Sequence, residues 1–188
     1  MQILIDNRFK GYRGNDCLLS LDCVDHEIQE PYPYEREWSK CWYSHKFKGP
    51  GLRYEVALNI ITGDIFWING PFPSGAINDW MIFKSKGLLD NLLKYERVEA
   101  DNGYTTGDPE FCKTPAGIRH PQERRAYRNR VMGRQEMVNK RNKQWRILDK
   151  VFRHPIEKHQ IVFHAVNVIT QIAIENGEPL FDTGEYAD

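Results

Sequence analysis

The pattern of hydrophobic and polar residues predicts β-strands in the first third of the chain. Apolar residues dominate from position 17 to position 28, and residues 52–61 alternate between an apolar and a polar face. That alternation is the period of a half-buried strand. The turn sequence at 62–64 leads into a second apolar stretch at 65–70. We therefore predict a first strand at 17–28 and a β-hairpin across 52–70.

The pattern in the rest of the chain predicts mainly helices. Apolar residues recur at helical spacing in three segments, and Gly87 interrupts the first of them. The predicted elements are a helix at 76–94, a short strand at 96–100, a loop at 105–121, a long helix at 122–148 and a second long helix that Gly177 ends. The order strand, hairpin, helix, strand, helix, helix predicts a mixed sheet covered by helices, which is an α/β domain.

Composition limits the class of protein. A length of 188 residues fits one domain, with 40% hydrophobic and 28% charged residues as in soluble globular proteins. No apolar run is long enough to span a membrane, and the N-terminus lacks the apolar core of a signal peptide. We therefore expect an intracellular protein without a membrane partner. The four cysteines are expected as reduced thiols, because the chain is large and shows no secretion signal. Their spacing matches no zinc-finger pattern, so a structural zinc site is not expected.

The formal net charge is zero, but the charges are unevenly distributed. The segment 119–146 contains ten Lys and Arg residues and only two Glu residues, which gives it a charge of +8. The rest of the chain carries the opposite charge. A basic block of this kind favours a polyanion as partner, although a solvated helix face is an equally good interpretation.

Three acidic residues lie in settings that call for an explanation. Asp22 interrupts the apolar run of the first strand, where a carboxylate is costly unless it is paired or bound to a metal. Asp101 ends a short strand and precedes an Asn-Gly turn. Glu136 is the one acid within the basic stretch from Arg124 to Arg146. All three are candidate metal ligands.

Each of these acids also has a purely structural interpretation. Asp22 can accept backbone hydrogen bonds at a turn or sheet edge, and Asp25 lies close enough in sequence to compete for a role. Asp101 can simply end its strand. Glu136 can pair with Lys140 four residues later, which contributes about 0.2–0.5 kcal/mol on a helix surface. Spacing alone does not choose between these interpretations.

Three sequence blocks resemble the catalytic blocks of DDE superfamily transposases and endonucleases, and the PIF/Harbinger-like group above all. They are LSLDCVDHEI, VEADNGY and RQEMVNKRNKQWRIL, which place Asp22, Asp101 and Glu136 at the family's three acidic positions. The segment GPFPSGAINDWMIF is similar to a further family segment, with Asp79 in its Asp position. The likeness runs from about Cys17 to Ile174, although Cys23 and Asn78 depart from the family's usual Gly and His.

The resemblance implies a fold, a site and a cofactor. We expect an RNase H-like α/β fold with a mixed five-stranded sheet flanked by helices. We expect one catalytic domain over 1–188, with its core at about 17–176, and without the DNA-binding region that precedes this domain in the family. Asp22, Asp101 and Glu136 would be both the catalytic residues and the ligands of Mg²⁺, with Mn²⁺ as a substitute.

The resemblance also implies DNA as the partner. Four residues of the basic helix would hold the DNA backbone, namely Arg134, Lys140, Arg141 and Lys143. His45, Lys46 and Lys48 either touch the substrate or cap the hairpin, and a similar stretch occurs in the family. A separate DNA-binding protein or a second copy of the chain would complete the assembly, in the nucleus. The expected activity is DNA phosphodiester hydrolysis and strand transfer.

Two other functions remain open. A domesticated transposase domain would keep the fold and bind DNA or protein without cutting. A small-molecule hydrolase or a structural α/β domain would carry the three acids as surface residues, and fold alone does not decide among these functions.

Overall fold

The elements that position the site come from two parts of the chain, a strand-rich first part and a helix-rich second part. The computed structural model describes residues 9, 17–32, 36–85, 87–94, 96–104, 110–114 and 122–184. Its strands are β1 (Cys17–Glu27), β2 (Tyr43–Ser44), β3 (Gly49–Asn59), β4 (Ile65–Pro73), β5 (Arg97–Ala100) and β6 (Cys112–Lys113). Its helices are α1 (Arg36–Trp42), α2 (Asp79–Ser85), α3 (Leu88–Asn91), α4 (Gln122–Lys143), α5 (Arg146–Asp149) and α6 (Ile156–Glu175), and Asn102–Tyr104 forms a 3₁₀ turn.

Strand β1 is the centre of a mixed sheet. It pairs antiparallel with β3 on one side and parallel with β5 on the other. β3 also pairs antiparallel with β4 and β2, and β5 pairs parallel with β6. The protein is thus an α/β protein whose mixed sheet has six strands, one more than the five expected. The near-continuous burial of β1 explains its apolar run, since a central strand is covered on both faces.

Helices cover the two faces of the sheet with separate hydrophobic clusters. On one face, side chains of β1 pack against the short helices α2 and α3 around Phe83 and Leu88. On the other face, β3 packs against α4 and α6 around Val138 and Phe163. Alternate residues of β1 therefore point to different helices, and Ser20 bonds to Gln135 of α4. No helix in the described part of the chain is long and apolar enough to cross a membrane.

Several predicted boundaries differ from the structure. The helix at 76–94 is divided into α2 and α3, with Gly87 at φ +121°, as its glycine suggested. The long basic helix ends at Lys143, because Trp145 adopts an extended backbone conformation before α5. Strand β6 lies inside the predicted loop at 105–121, most of which is outside the described residues. Two-residue strands leave no periodic pattern, so sequence alone does not reveal them.

Two histidines are buried in the cluster between β3 and α6. His26 Nδ1 lies 3.0 Å from the carbonyl oxygen of Leu148, and His159 Nδ1 lies 2.8 Å from the hydroxyl of Tyr54. Their ring centroids are 5.5 Å apart. Burial lowers the pKa of His26 to about 4 and the pKa of His159 to about 3. Both imidazoles are therefore neutral in the folded protein at neutral pH.

These histidines predict a loss of stability in acid. The unfolded chain takes up their protons near pH 6.5, whereas the folded protein resists protonation until about pH 4. The contribution of the two histidines to the free energy of unfolding should therefore fall as the pH drops below about 6.5, by at most about 2 kcal/mol per histidine at pH 5. Asp22 and Glu55 act in the opposite direction, because burial raises their pKa values to about 6 and about 8 in the folded protein. Urea unfolding of wild type and His159→Gln at pH 7 and pH 5 isolates the contribution of one histidine. The change in the free energy of unfolding from pH 7 to pH 5 should be less favourable in wild type than in His159→Gln by up to about 2 kcal/mol, while His154→Gln, on the exposed surface, should behave as wild type does. An identical pH dependence in wild type and His159→Gln would contradict this account.

Candidate functional site

Asp22 interrupts the buried run of β1 and faces helix α4. Its Oδ1 accepts a hydrogen bond from the backbone N–H of Cys23 at 2.8 Å, and its Oδ2 accepts one from Asn139 Nδ2 at 3.1 Å. Burial raises the pKa of Asp22 to about 6, the charge of Lys46 opposes that rise, and the charge of Asp101 adds to it. Asp22 is therefore a partly desolvated carboxylate with other charges close by.

Asp101 follows the last residue of β5 and lies beside Asp22. The parallel register pairs Leu21 with Ala100, so the next residue of each strand reaches the same end of the sheet. Asp101 Oδ1 accepts a hydrogen bond from the backbone N–H of Gly103 at 2.8 Å. The Asn-Gly sequence thus stops the strand and also fixes the carboxylate next to Asp22.

A third carboxylate, Asp79, joins this pair from the first turn of α2. A Cβ atom at Gly103 would lie 2.5 Å from Asp79 Oδ2 and 2.9 Å from Asp101 Oδ1, so both carboxylates converge on one small glycine. Burial raises the pKa of Asp79 in spite of the nearby positive charges of Arg53 and Lys46. Among the described residues, Asp22, Asp79 and Asp101 form the acidic end of the central strands.

Arg53 holds this acidic end together. It faces Asp25 in the antiparallel register of β1 and β3, and its Nε and Nη2 donate to the two oxygens of that carboxylate at 2.7 Å and 3.0 Å. Its Nη1 donates to Asp79 Oδ1 at 2.8 Å. Ser44 Oγ donates a further hydrogen bond to Asp25 Oδ2 at 2.5 Å. The pKa of Asp25 is lowered because the bonds from Arg53 and Ser44 outweigh the effect of burial.

Helix α4 is fixed against the sheet on both sides of Asp22. Gln135 accepts a bond from Ser20 of β1 at 3.0 Å and donates to the carbonyl of Val56 at 2.7 Å. Arg128 pairs with Glu99 of β5 at 3.2 Å and also donates to the carbonyl of Ala100. The helix is thereby anchored to the strands that carry the two aspartates.

Glu136 is the predicted acid that the structure does not bring into this cluster. The face of α4 that meets the sheet is centred on Gln135, Val138 and Asn142, and Glu136 lies beyond it, exposed to solvent. Asn139, three residues later on the same flank, contacts Asp22 instead. Among the described residues, Glu136 does not form a group with Asp22 and Asp101 that could hold one metal ion.

The four predicted DNA-binding residues divide into two kinds. Arg134 is buried, and it donates to the carbonyls of Ile60 and Phe181. Arg141 donates to the carbonyl of Glu178 at 2.7 Å. Both arginines thus bind the backbone of the C-terminal segment, and the buried Arg134 leaves little surface for a phosphate, whereas Arg141 is half-buried. Lys140 and Lys143 are exposed and remain candidates for binding a polyanion.

The donor chemistry of the site suits a hard divalent cation. Among the described residues, no group of three His, Cys, Asp or Glu side chains is arranged to hold one metal ion. Mg²⁺ does not need such a cage, because one or two carboxylates, waters and a substrate phosphate commonly hold it. The carboxylates of Asp22 and Asp101 fit that pattern. Asn139 Oδ1 beside them is buried and without a hydrogen-bond partner in the described part of the chain, and it offers a further oxygen.

Comparisons with known proteins add no assignment. No protein-family model, curated protein or solved structure matches the chain. The site is therefore interpreted from its own residues. The sequence analysis did not predict Arg53, whose place opposite Asp25 depends on the register between β1 and β3, two strands that are far apart along the chain.

Burial, with the charge of Asp101 adding to it, predicts a raised pKa for Asp22. We expect an apparent pKa near 6 when the carboxyl carbon of Asp22 is titrated by ¹³C NMR. Asp101→Asn should lower that pKa, because it removes a negative charge that opposes ionisation of Asp22. Asp149→Asn, on the exposed surface, should leave it unchanged. A pKa near the ordinary 3.8 in the wild type would contradict the burial of Asp22, and an unchanged pKa in Asp101→Asn would show that Asp101 does not lie beside it.

Proposed function

We propose that the chain is the catalytic domain of a metal-dependent DNA endonuclease or transposase that cleaves phosphodiester bonds by a two-metal mechanism. The observation that carries this proposal is the position of Asp22 and Asp101. They stand at matched places on adjacent parallel strands, at one end of the sheet. The resemblance to DDE superfamily enzymes, which rests on these same residues, points in the same direction.

The sheet topology supports an RNase H-like fold as part of the proposal. Apart from the two-residue β2, the strands lie in the order β4-β3-β1-β5-β6. β3 pairs antiparallel with both β1 and β4, and β5 and β6 run parallel to β1. This mixed arrangement, with helices on both faces, is compatible with an RNase H-like fold.

The proposed roles follow from the placement of each side chain. Asp22 and Asp101 would hold Mg²⁺, or Mn²⁺ in its place, and Asn139 would orient Asp22 through its amide. Glu136 is the third proposed ligand, and its exposed side chain lies beside Asn139 on the flank of α4 nearest the site. When bound, the metal ions would activate the attacking water and stabilise the leaving oxygen of the phosphodiester. Arg53 keeps Asp79 and Asp25 in place around the site.

DNA binding is proposed for the exposed lysines of α4. Lys140 and Lys143 are free to contact phosphates, whereas Arg134 and Arg141 are engaged by the C-terminal segment. A second copy of the chain or a separate DNA-binding protein would supply further contacts for transposition. A nuclear location is proposed on the resemblance alone.

A domain that binds DNA or protein without cleaving is the second candidate. The exposed position of Glu136 favours it, since the third expected carboxylate does not join the cluster. The two candidates differ in one property, because only the nuclease requires Asp22 and Asp101 for a chemical step.

A nicking assay on supercoiled plasmid tests the proposed activity. With Mg²⁺ or Mn²⁺, the wild-type protein should convert supercoiled DNA to the open circular form. Asp22→Asn and Asp101→Asn should each reduce that rate by about 100-fold or more. Each substitution removes a charged ligand of the metal ions that would stabilise the negative charge developing on the phosphodiester. Asp149→Asn is the matched control and should cut at the wild-type rate.

The assay also separates the two candidates. Metal-independent DNA binding without any nicking would favour the non-cleaving module. Equal nicking by wild type, Asp22→Asn and Asp101→Asn would refute the proposed active site. Glu136→Gln tests whether Glu136 is the third metal ligand. A loss of nicking rate as large as that of Asp22→Asn would support this role, and a wild-type nicking rate would exclude it.

The salt dependence of DNA binding tests the proposed contact surface. Each phosphate contact contributes about one unit to the slope of log affinity against log salt concentration. Lys143→Ala should therefore reduce that slope by roughly one, as measured by fluorescence anisotropy of labelled duplex DNA. Lys158→Ala, an exposed lysine outside the basic segment, should not change it. An unchanged slope in Lys143→Ala would show that Lys143 does not contact a DNA phosphate.

A further inference from the structure

Lys46 brings a positive charge into the acidic end of the sheet. It lies in the turn between β2 and β3, and its Nζ donates to the carbonyl of Cys23 at 2.7 Å, directly after Asp22 in the chain. Its charge acts on Asp22, Asp25 and Asp79, and in each case it favours the ionised carboxylate. The ammonium group therefore lies close to Asp22, Asp25 and Asp79, and its bond to the Cys23 carbonyl places it beside the end of β1 that carries Asp22.

The two cations of the site are held in different ways. Arg53 uses its Nε, Nη1 and Nη2 in bonds to Asp25 and Asp79, so it cannot leave without breaking an ion-pair network. The ammonium of Lys46 has three N–H donors, and its one hydrogen bond to a described residue runs to a backbone carbonyl. Arg53 is thus a fixed part of the frame, while the side chain of Lys46 can exchange its partner at low cost.

The backbone of Lys46 is anchored even though its side chain is exchangeable. Its N–H donates to Ser44 Oγ at 3.2 Å, and the N–H of Lys48 donates to the carbonyl of Ser44 at 2.9 Å. Ser44 is itself bonded to Asp25. The turn is therefore tied to the frame of the site, and movement of the ammonium requires only rotation about the bonds of the Lys46 side chain.

The charge of the site depends on whether Lys46 occupies it. Asp22, Asp25, Asp79 and Asp101 carry four negative charges when ionised, and Arg53, which is fixed by its bonds, carries one positive charge. The site therefore has a charge of −3 without the Lys46 ammonium and −2 with it. A divalent cation is thus attracted more strongly once the ammonium has moved away.

We propose that Lys46 is an exchangeable counter-ion of the acidic site. Its ammonium offsets one of the negative charges of the carboxylates when no metal is bound. Divalent metal displaces it by charge repulsion, and the released ammonium then binds a phosphate of the substrate. Lys46 is thus a positioning residue that couples metal binding to substrate binding. This inference rests on the proposed function, because it assumes that the site binds a divalent cation.

Calorimetric titration of Mn²⁺ into the full chain tests the first half of this inference. Lys46→Met should bind Mn²⁺ at least about tenfold more tightly than wild type, because a like charge has been removed from the site. Lys48→Met is the matched control, since it changes a lysine of the same turn and should bind as wild type does. Equal or weaker binding by Lys46→Met would overturn the counter-ion role.

DNA affinity measured with and without Ca²⁺ tests the second half. With Ca²⁺ present, Lys46→Met should bind duplex DNA several-fold more weakly than wild type, because the released ammonium is missing. Without divalent metal, the two proteins should bind alike, because the Lys46 ammonium is then bonded to the Cys23 carbonyl and faces the acidic end of the sheet. A loss of equal size in both conditions would make Lys46 an ordinary phosphate contact and overturn the coupling.

Failure of this inference is distinguishable from failure of the proposed function. If wild type and Lys46→Met both bind no Mn²⁺, the metal-dependent function itself fails, and this inference fails with it. If wild type binds Mn²⁺ at Asp22 and Asp101 but Lys46→Met shows no tighter binding, only the role of Lys46 is refuted. Circular dichroism of all three proteins confirms that each variant is folded.

Discussion

The ion-pair network of Arg53 is the interaction on which the acidic end of the sheet depends. Several carboxylates lie close together there, and without a compensating cation their mutual repulsion and desolvation would favour the protonated forms. Arg53 links β1, β3 and α2 through Asp25 and Asp79, so one guanidinium fixes three elements at once. Asp22 and Asp101 receive no such bond in the described structure, and they remain available to a ligand.

Helix α4 combines a structural and a chemical role on different flanks. One flank carries Asn139, which contacts Asp22, with Glu136 beside it. Another flank carries Arg134 and Arg141, which bind backbone carbonyls of the C-terminal segment. A large part of the basic block therefore stabilises the fold and does not form an open surface for polyanions. Net charge along a sequence overstates the positive surface wherever arginines satisfy buried carbonyl groups.

The sequence was informative where local patterns decide the structure. The hairpin, the break at Gly87 and the strand before Asp101 all follow from periodicity and turn residues. The outward position of Glu136 and the buried bonds of Arg134 could not be predicted, because they depend on the rotation of α4 and on a segment that packs against it from far along the chain. The location of Lys46 depends likewise on a tertiary contact with β1.

A divalent cation shared by Asp22 and Asp101 at the end of β1 and β5 would be visible in a crystal structure of the protein grown with Mn²⁺, with anomalous diffraction data. We expect an anomalous peak at metal-ligand distance from both carboxylates. Absence of such a peak at saturating Mn²⁺, with the two carboxylates turned away from each other, would rule out the shared cation.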